Sequence, residues 1–203
     1  MAKLRVVALL ARRPGLLVLE NALLSDPAIE IAAVFTHGRL PKAEGGMERS
    51  DLGDFTHCCR RATIPLIAVD GADAKDIGAR LPAGPLDLLI ALSWRYQVPG
   101  AVLDRFAGGC INLHRGALPR YAGALPVQRA IEAGEDSVAI TAHEMVPEID
   151  AGAEIARVCL PIAPLPARQD AAAYAEVVKL RLEPLYAPLC RLAIAARRAS
   201  LGA

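Results

Sequence analysis

The chain has 203 residues, 54% of them hydrophobic, enough for one domain with a full core. Its 23 basic and 22 acidic residues leave a formal net charge of +1, which excludes a strong field for nucleic acid or an anionic membrane surface. The five cysteines, at 58, 59, 110, 159 and 190, include no CxxC pair; this argues against a disulfide framework and fits a reducing, cytoplasmic setting.

Lys3 and Arg5 flank the start of an apolar run that stops at Ala11, too short for a signal peptide or a membrane span. Residues 4–10, LRVVALL, read as a strand buried on both faces. Pro14 and Gly15 interrupt, and helical spacing then runs to about Ser25. Residues 29–35 read as a second strand, followed by a polar loop with Gly38, Pro41, Gly45 and Gly46. A helix is expected over 51–61, a strand over 64–69, a short helix over 72–81 and a strand over 86–92. His57, Cys58 and Cys59 lie within the first of these helices. Neighbours on a helix diverge by about 100° and no second ligand cluster exists, so no metal is expected.

Residues 109–114, GCINLH, form a fifth strand and 126–134 a helix. Two strand candidates follow, 137–146 and 153–162, joined by PEIDAG as a hairpin with an enlarged loop. From Arg168 the pattern is helical, with Pro184 and Pro188 predicting a kink or two helices. Strands alternating with helices imply an α/β fold: a mostly parallel twisted sheet flanked by helices, Rossmann-related, with a late β-hairpin and a C-terminal helical extension. The expected division is a catalytic domain over 1–165 and the extension, 166–203, packed on it.

In open α/β sheets, ligands sit beyond the carboxyl ends of the strands. Arg12 and Arg13 end the first strand, Ser93 to Gln97 the fourth, Asn112 and His114 the fifth. An amide donor beside an imidazole proton shuttle suits attack by an amine on an acyl carbonyl, and Asp150, in the hairpin loop, can orient the imidazole or favour its charged form. By spacing alone, a strand-end histidine capping a loop accounts for the pair as well.

The stretch NLHRGALPRYAGALPVQRAI, with Asp150 in EIDAG 38 residues after Asn112, resembles the 10-formyltetrahydrofolate-dependent formyltransferases. The resemblance is good over about 86–160 and looser before. It implies that Asn112 holds the formyl oxygen, that His114 assists proton transfer, and that Asp150 orients His114. It implies a pterin held by Arg95, Tyr96 and Gln97, largely through backbone groups, and by Val146 and Glu148 in the hairpin loop, with Leu118 and Pro119 shaping another wall. Trp94 and Tyr96 serve equally as apolar cover for the sheet. The chain departs from the family pattern at Arg115, usually Pro, and at Ala122, commonly Arg, which bears on the acceptor more than on the chemistry. His143 is either a supporting group for the site or a core histidine bonded to backbone.

ARRPG, residues 11–15, replaces the glycine-rich phosphate loop of the glycinamide ribonucleotide branch. The chain stops where the tRNA-acting members begin a further domain, and with a charge of +1 no tRNA partner is expected. The expected acceptor is the primary amine of a small molecule, a nucleotide-linked amino sugar or an amino-acid-like metabolite, with an anionic group gripped by Arg12 and Arg13. Arg39 and Lys42 lie in the next loop; all four are equally readable as solvated surface charges. A hydrolase releasing formate and a non-catalytic folate-binding module are the alternatives. No membrane partner is expected, and a homodimer is left open.

Overall fold

The computed structural model describes residues 3–71, 73–75, 77–165 and 170–200. Seven strands form one mostly parallel sheet: β1 (Leu4–Leu10), β2 (Ile29–Thr36), β3 (Leu66–Ala68), β4 (Leu88–Leu92), β5 (Cys110–His114), β6 (Ser137–Glu144) and β7 (Glu154–Pro161). They lie in the order β3-β2-β1-β4-β5-β6-β7. Packing divides the chain into two compact units, residues 1–111 and 112–203, with the boundary inside β5. Among the described residues no helix is long and apolar enough to cross a membrane.

In the first unit, β1 is flanked by β2 and β4, both parallel to it. Val6 to Leu10 and Leu88 to Ile90 are all fully buried, as a central parallel strand covered on both faces requires. β3 is shorter than the six residues read from the pattern, because only Leu66–Ala68 pairs with β2; Pro65 contributes its carbonyl, not an N–H, to Val34. Helix α1 (Arg12–Val18) begins four residues before Leu16, where the helical spacing starts in the sequence, and continues through a π-turn, Leu19–Leu23. Pro14 is tolerated because it lies in the first turn, where no intrahelical N–H bond is lost. Helix α2 is Leu52–Arg61. The short helix expected over 72–81 is only a 3₁₀ turn at Gly78–Arg80, Ala72 and Asp76 lying outside the described residues. The segment is bounded by Gly71 and Pro82, too short a span to repay helix nucleation. A single-turn helix, α3, spans Gly100–Leu103.

In the second unit, β6 and β7 pair antiparallel from Ser137↔Pro161 to His143↔Glu154, confirming the hairpin and its large loop. Helix α4 is Pro126–Glu132, α5 Ala171–Leu182 and α6 Tyr186–Ser200. Asp170 caps α5 by accepting from the Ala173 N–H at 2.7 Å; the start of the extension at 166–169 lies outside the described residues. The break between the last two helices falls at Glu183–Leu185, and Pro188 sits harmlessly in the first turn of α6. α6 packs on β6 and β7 through Tyr186, Leu189, Cys190, Ala193 and Ile194, an i, i+3, i+4 stripe. Burying Leu189 and Ile194 stabilises by roughly 2–3 kcal/mol each.

A buried polar cluster closes the carboxyl end of β2. Arg49 donates to the Thr36 hydroxyl at 2.8 Å and the His37 carbonyl at 2.7 Å, and pairs with Asp51. His37 donates from Nδ1 to the Val69 carbonyl at 3.1 Å and accepts the Arg95 N–H at Nε2, 3.3 Å. Its ring stacks on Trp94 with centroids 4.2 Å apart. Burial pushes the His37 imidazole down from 6.5 to about 4, although the Val69 carbonyl and Asp70 pull it up. A depressed pKa contributes stability that is present above pH 6.5 and lost as pH falls towards 4, here about 3 kcal/mol. Urea denaturation should therefore show His37→Gln least stable relative to wild type at neutral pH, with the gap narrowing on acidification. Parallel pH profiles would show that His37 is not buried neutral.

Candidate active site

Strand β5 alternates, sending Ile111 and Leu113 to one face and Asn112 and His114 to the other. β6 delivers His143, and its hairpin loop delivers Asp150. Asp150 adopts a left-handed backbone, φ 54°, a conformation that Asp tolerates better than most residues. At Gly152 a Cβ would stand 2.0 Å from the Glu144 carbonyl oxygen, so the loop can fold back on β6 only with glycine there. Gly116 is similarly constrained: a Cβ would lie 2.9 Å from His114 Nε2 and 2.7 Å from the Tyr121 carbonyl.

These elements bring four side chains together. Asp150 Oδ2 lies 3.3 Å from His114 Nδ1 and accepts the Gly123 N–H at 2.9 Å. Asp150 Oδ1 is 3.5 Å from both Asn112 Nδ2 and His143 Nε2. His143 Nδ1 is 2.7 Å from the Glu144 carbonyl, which can only accept, so Nδ1 carries the proton. That leaves Nε2 to accept from the Asn112 amide at 3.0 Å, which fixes which way the amide points. His114 Nε2 is 2.8 Å from the Tyr121 carbonyl and must donate to it.

Burial raises the Asp150 carboxyl, but His143, the Gly123 N–H and the His114 ring outweigh it, and the group lies below its ordinary value. Burial dominates His114 and lowers it, opposed by the Tyr121 carbonyl and the Asp150 carboxylate. With Nε2–H on Tyr121, a neutral ring turns the Nδ1 lone pair towards a carboxylate. Protonation turns that contact into an ion pair. Such a ring rests neutral and has an acceptor waiting for the proton it gains, a base poised for use.

The remaining candidates are placed as follows. In the first unit, Arg95 pairs with Asp70 at 2.8 Å, the Tyr96 hydroxyl accepts the Gly71 N–H at 3.2 Å, and Gln97 is exposed. Trp94 Nε1 and Arg95 Nε are buried and have no hydrogen-bond partner among the described residues. Arg12 and Arg13 open α1 and do not close β1; Arg12 reaches both carboxylate oxygens of Glu44, at 2.6 and 2.7 Å. In the second unit, Val146 and Glu148 are exposed in the hairpin loop, and Leu118 is buried ahead of a cis bond to Pro119. Sequence reasoning missed the Tyr121 carbonyl and Gly123 N–H, which are backbone groups with no side-chain signature. It also missed His37, although a polar residue just past an apolar strand, as at His114, was a usable signal. Among the described residues, no group of three or more His, Cys, Asp or Glu side chains is placed to hold a metal ion.

The profile of a family described as formyl transferase matches residues 5–179. The chain belongs to the formyl transferase family. Among its relatives, the methionyl-tRNA formyltransferase of Pseudomonas paraeruginosa is 33% identical over 143 residues, covering 70% of this chain and 45% of that protein. The methionyl-tRNA formyltransferase of Methylobacillus flagellatus is 39% identical over 99 residues, 49% of this chain and 32% of its own. The chain thus spans less than half the length of these curated relatives. In fold, the phosphoribosylglycinamide formyltransferase of Coxiella burnetii matches with a TM-score of 0.71 at 21% identity, covering 100% of this chain and 89% of that one. A formyltetrahydrofolate deformylase of Pseudomonas syringae matches with a TM-score of 0.65 at 19% identity, covering 98% and 62%. Those two likenesses concern the formyl transferase fold alone.

The Gly152 contact makes a direct prediction. Gly152→Ala should destabilise the protein by about 1–3 kcal/mol, the range for overpacking, and should loosen the hold on Asp150. Denaturation together with NMR of the His114 imidazole tests both; unchanged stability and an unchanged imidazole signal would show that the loop yields freely.

Proposed function

We propose that the chain transfers the formyl group of 10-formyltetrahydrofolate to the primary amine of a small acceptor. The observation that carries this reading is the Asp150-centred network, which holds an amide and a poised imidazole side by side at a strand end. The folate supplies an activated one-carbon acyl group. Asn112 donates to the oxygen on which negative charge grows; its second N–H has only a 3.5 Å contact with Asp150 to give up. His114, whose Nε2–H stays on the Tyr121 carbonyl, takes at Nδ1 the proton that the attacking amine loses. It returns that proton to the folate nitrogen as the bond from this nitrogen to the formyl carbon breaks. Asp150 keeps the ring oriented and stabilises its protonated form.

For the donor, we assign pterin contacts in each unit by itself: in the first to the Ser93–Val98 rim, in the second to Val146, Glu148, Leu118 and Pro119. The two unpartnered donors, Trp94 Nε1 and Arg95 Nε, suit a rim that meets a polar heterocycle. For the acceptor, we assign Arg12 and Arg13 to an anionic group on a nucleotide-linked amino sugar or an amino-acid-like metabolite. Glu44 then holds Arg12 until that group displaces it.

The test is turnover of 10-formyltetrahydrofolate with a panel of such amines. Asp150→Asn should lower turnover on the order of 10²-fold or more, with little change in affinity for a folate analogue lacking the formyl group. His114→Ala should be at least as damaging, and the double variant far from additive. Near-wild-type turnover in Asp150→Asn would reduce the carboxylate to a loop cap. Formate release without any amine would replace transfer by hydrolysis.

The acceptor assignment has its own readout. Replacing Arg12 and Arg13 by alanine should raise the acceptor KM and leave that of the folate nearly unchanged, whereas Glu44→Gln should lower the acceptor KM. If both constants move together, or neither moves, the arginines are surface charges.

A further inference from the structure

Within the second unit, the loop after β5 covers a cavity of about 270 Å³, walled also by the start of α4 and by the β6–β7 hairpin. None of Asn112, His114, His143 and Asp150 lines it. Leu118, Val127 and Val138 give it an apolar wall, and Arg115, Arg120 and Arg157 give it cations. Two of those cations are already neutralised, Arg120 by Glu135 and Arg157 by Glu154.

Arg115 is different. Its Nε donates to the Tyr186 hydroxyl at 3.1 Å, and Tyr186 is fully buried. Among the described residues Arg115 has no carboxylate partner, although it is itself half-buried. A guanidinium partly removed from water, beside a cavity with an apolar wall and with no carboxylate partner among the described residues, lacks the pairing that normally offsets its desolvation. The guanidinium fork matches a carboxylate in shape as well as charge.

We propose that this cavity is a binding site for a small organic anion, a carboxylate on an apolar body, with Arg115 as its counter-charge. The carboxylate pairs with Arg115 while the body lies against Leu118, Val127 and Val138. The site shares Leu118 with the residues assigned to the pterin, but its test does not rest on that assignment, since binding is measured without folate or turnover. It has a consequence for that chemistry: Tyr121 lines the cavity, and its carbonyl is the group that holds His114 Nε2. An occupant therefore presses on the segment that latches the catalytic base.

Cys159 lines the cavity and is exposed, while Cys58, Cys59, Cys110 and Cys190 are buried. Alkylation of the native protein by iodoacetamide, followed by peptide mass spectrometry, therefore reports on the cavity. Millimolar phenylacetate should slow alkylation of Cys159 several-fold, and phenylacetamide, its neutral counterpart, should not. Arg115→Gln should abolish the protection and Arg115→Lys should retain part of it. Phenylacetate should also raise the melting temperature of wild type more than that of Arg115→Gln, as a ligand selective for the native state does. Equal protection by the amide, undiminished protection in Arg115→Gln, or protection by neither probe would overturn the proposal. If Arg115→Gln does not fold, the comparison of acid and amide on wild type decides alone.

Discussion

A carboxylate buried to nine-tenths has to be met on every side, and Asp150 is met by four groups. Its oxygens face the His114 imidazole, the Gly123 N–H, the Asn112 amide and His143. They come from three pieces of the chain: Asn112 and His114 from the end of β5, Gly123 from the loop after it, and His143 from β6. Burial alone would push the carboxyl up; the neighbouring His143 ring, the Gly123 N–H and the His114 ring bring it below its ordinary value. The charge therefore persists at neutral pH and acts as the fixed point around which the imidazole and the amide are oriented.

That fixed point depends on backbone features some way from any reacting group. Gly152 lets the loop fold onto the Glu144 carbonyl, and Gly116 lets the chain turn tightly beneath His114. The Glu144 carbonyl also accepts from His143 Nδ1, so one peptide group both receives the loop and sets the histidine tautomer. Thr141 ties the same region together by donating to the Gly116 carbonyl at 2.7 Å. The geometry is thus held by strands and satisfied backbone groups, which is what keeps reacting side chains within the narrow tolerances that acid–base chemistry demands.

The His37 cluster plays the corresponding part in the first unit. A neutral buried imidazole donates to one strand-end carbonyl and accepts from the Arg95 N–H, fixing the backbone just beyond β4. Arg49 performs the same service for the end of β2. Both units therefore use a buried histidine at a strand end, with the same balance: burial lowers each imidazole, and a backbone carbonyl and a nearby carboxylate, Asp70 for His37 and Asp150 for His114, oppose it.

Much of this was legible in the residues alone. The apolar runs of β1 and β4, the alternation in β5 and the hairpin pattern around PEIDAG identify the α/β class, because burial on one or both faces imposes a period that the residues must follow. The spacing of Asn112, His114 and Asp150 carried the family resemblance, because a motif records which side chains the chemistry needs. Local pattern failed where local energies are small: the 3₁₀ turn at Gly78–Arg80, the shortened β3 and the start of α1 were decided by pairing and sterics. Only the tertiary structure could assign Arg12 to Glu44, leave Arg115 without a carboxylate among the described residues, or bring the Tyr121 carbonyl to His114. Those contacts join residues whose types alone carry no preference for one another, and a backbone carbonyl is present at every position of any sequence.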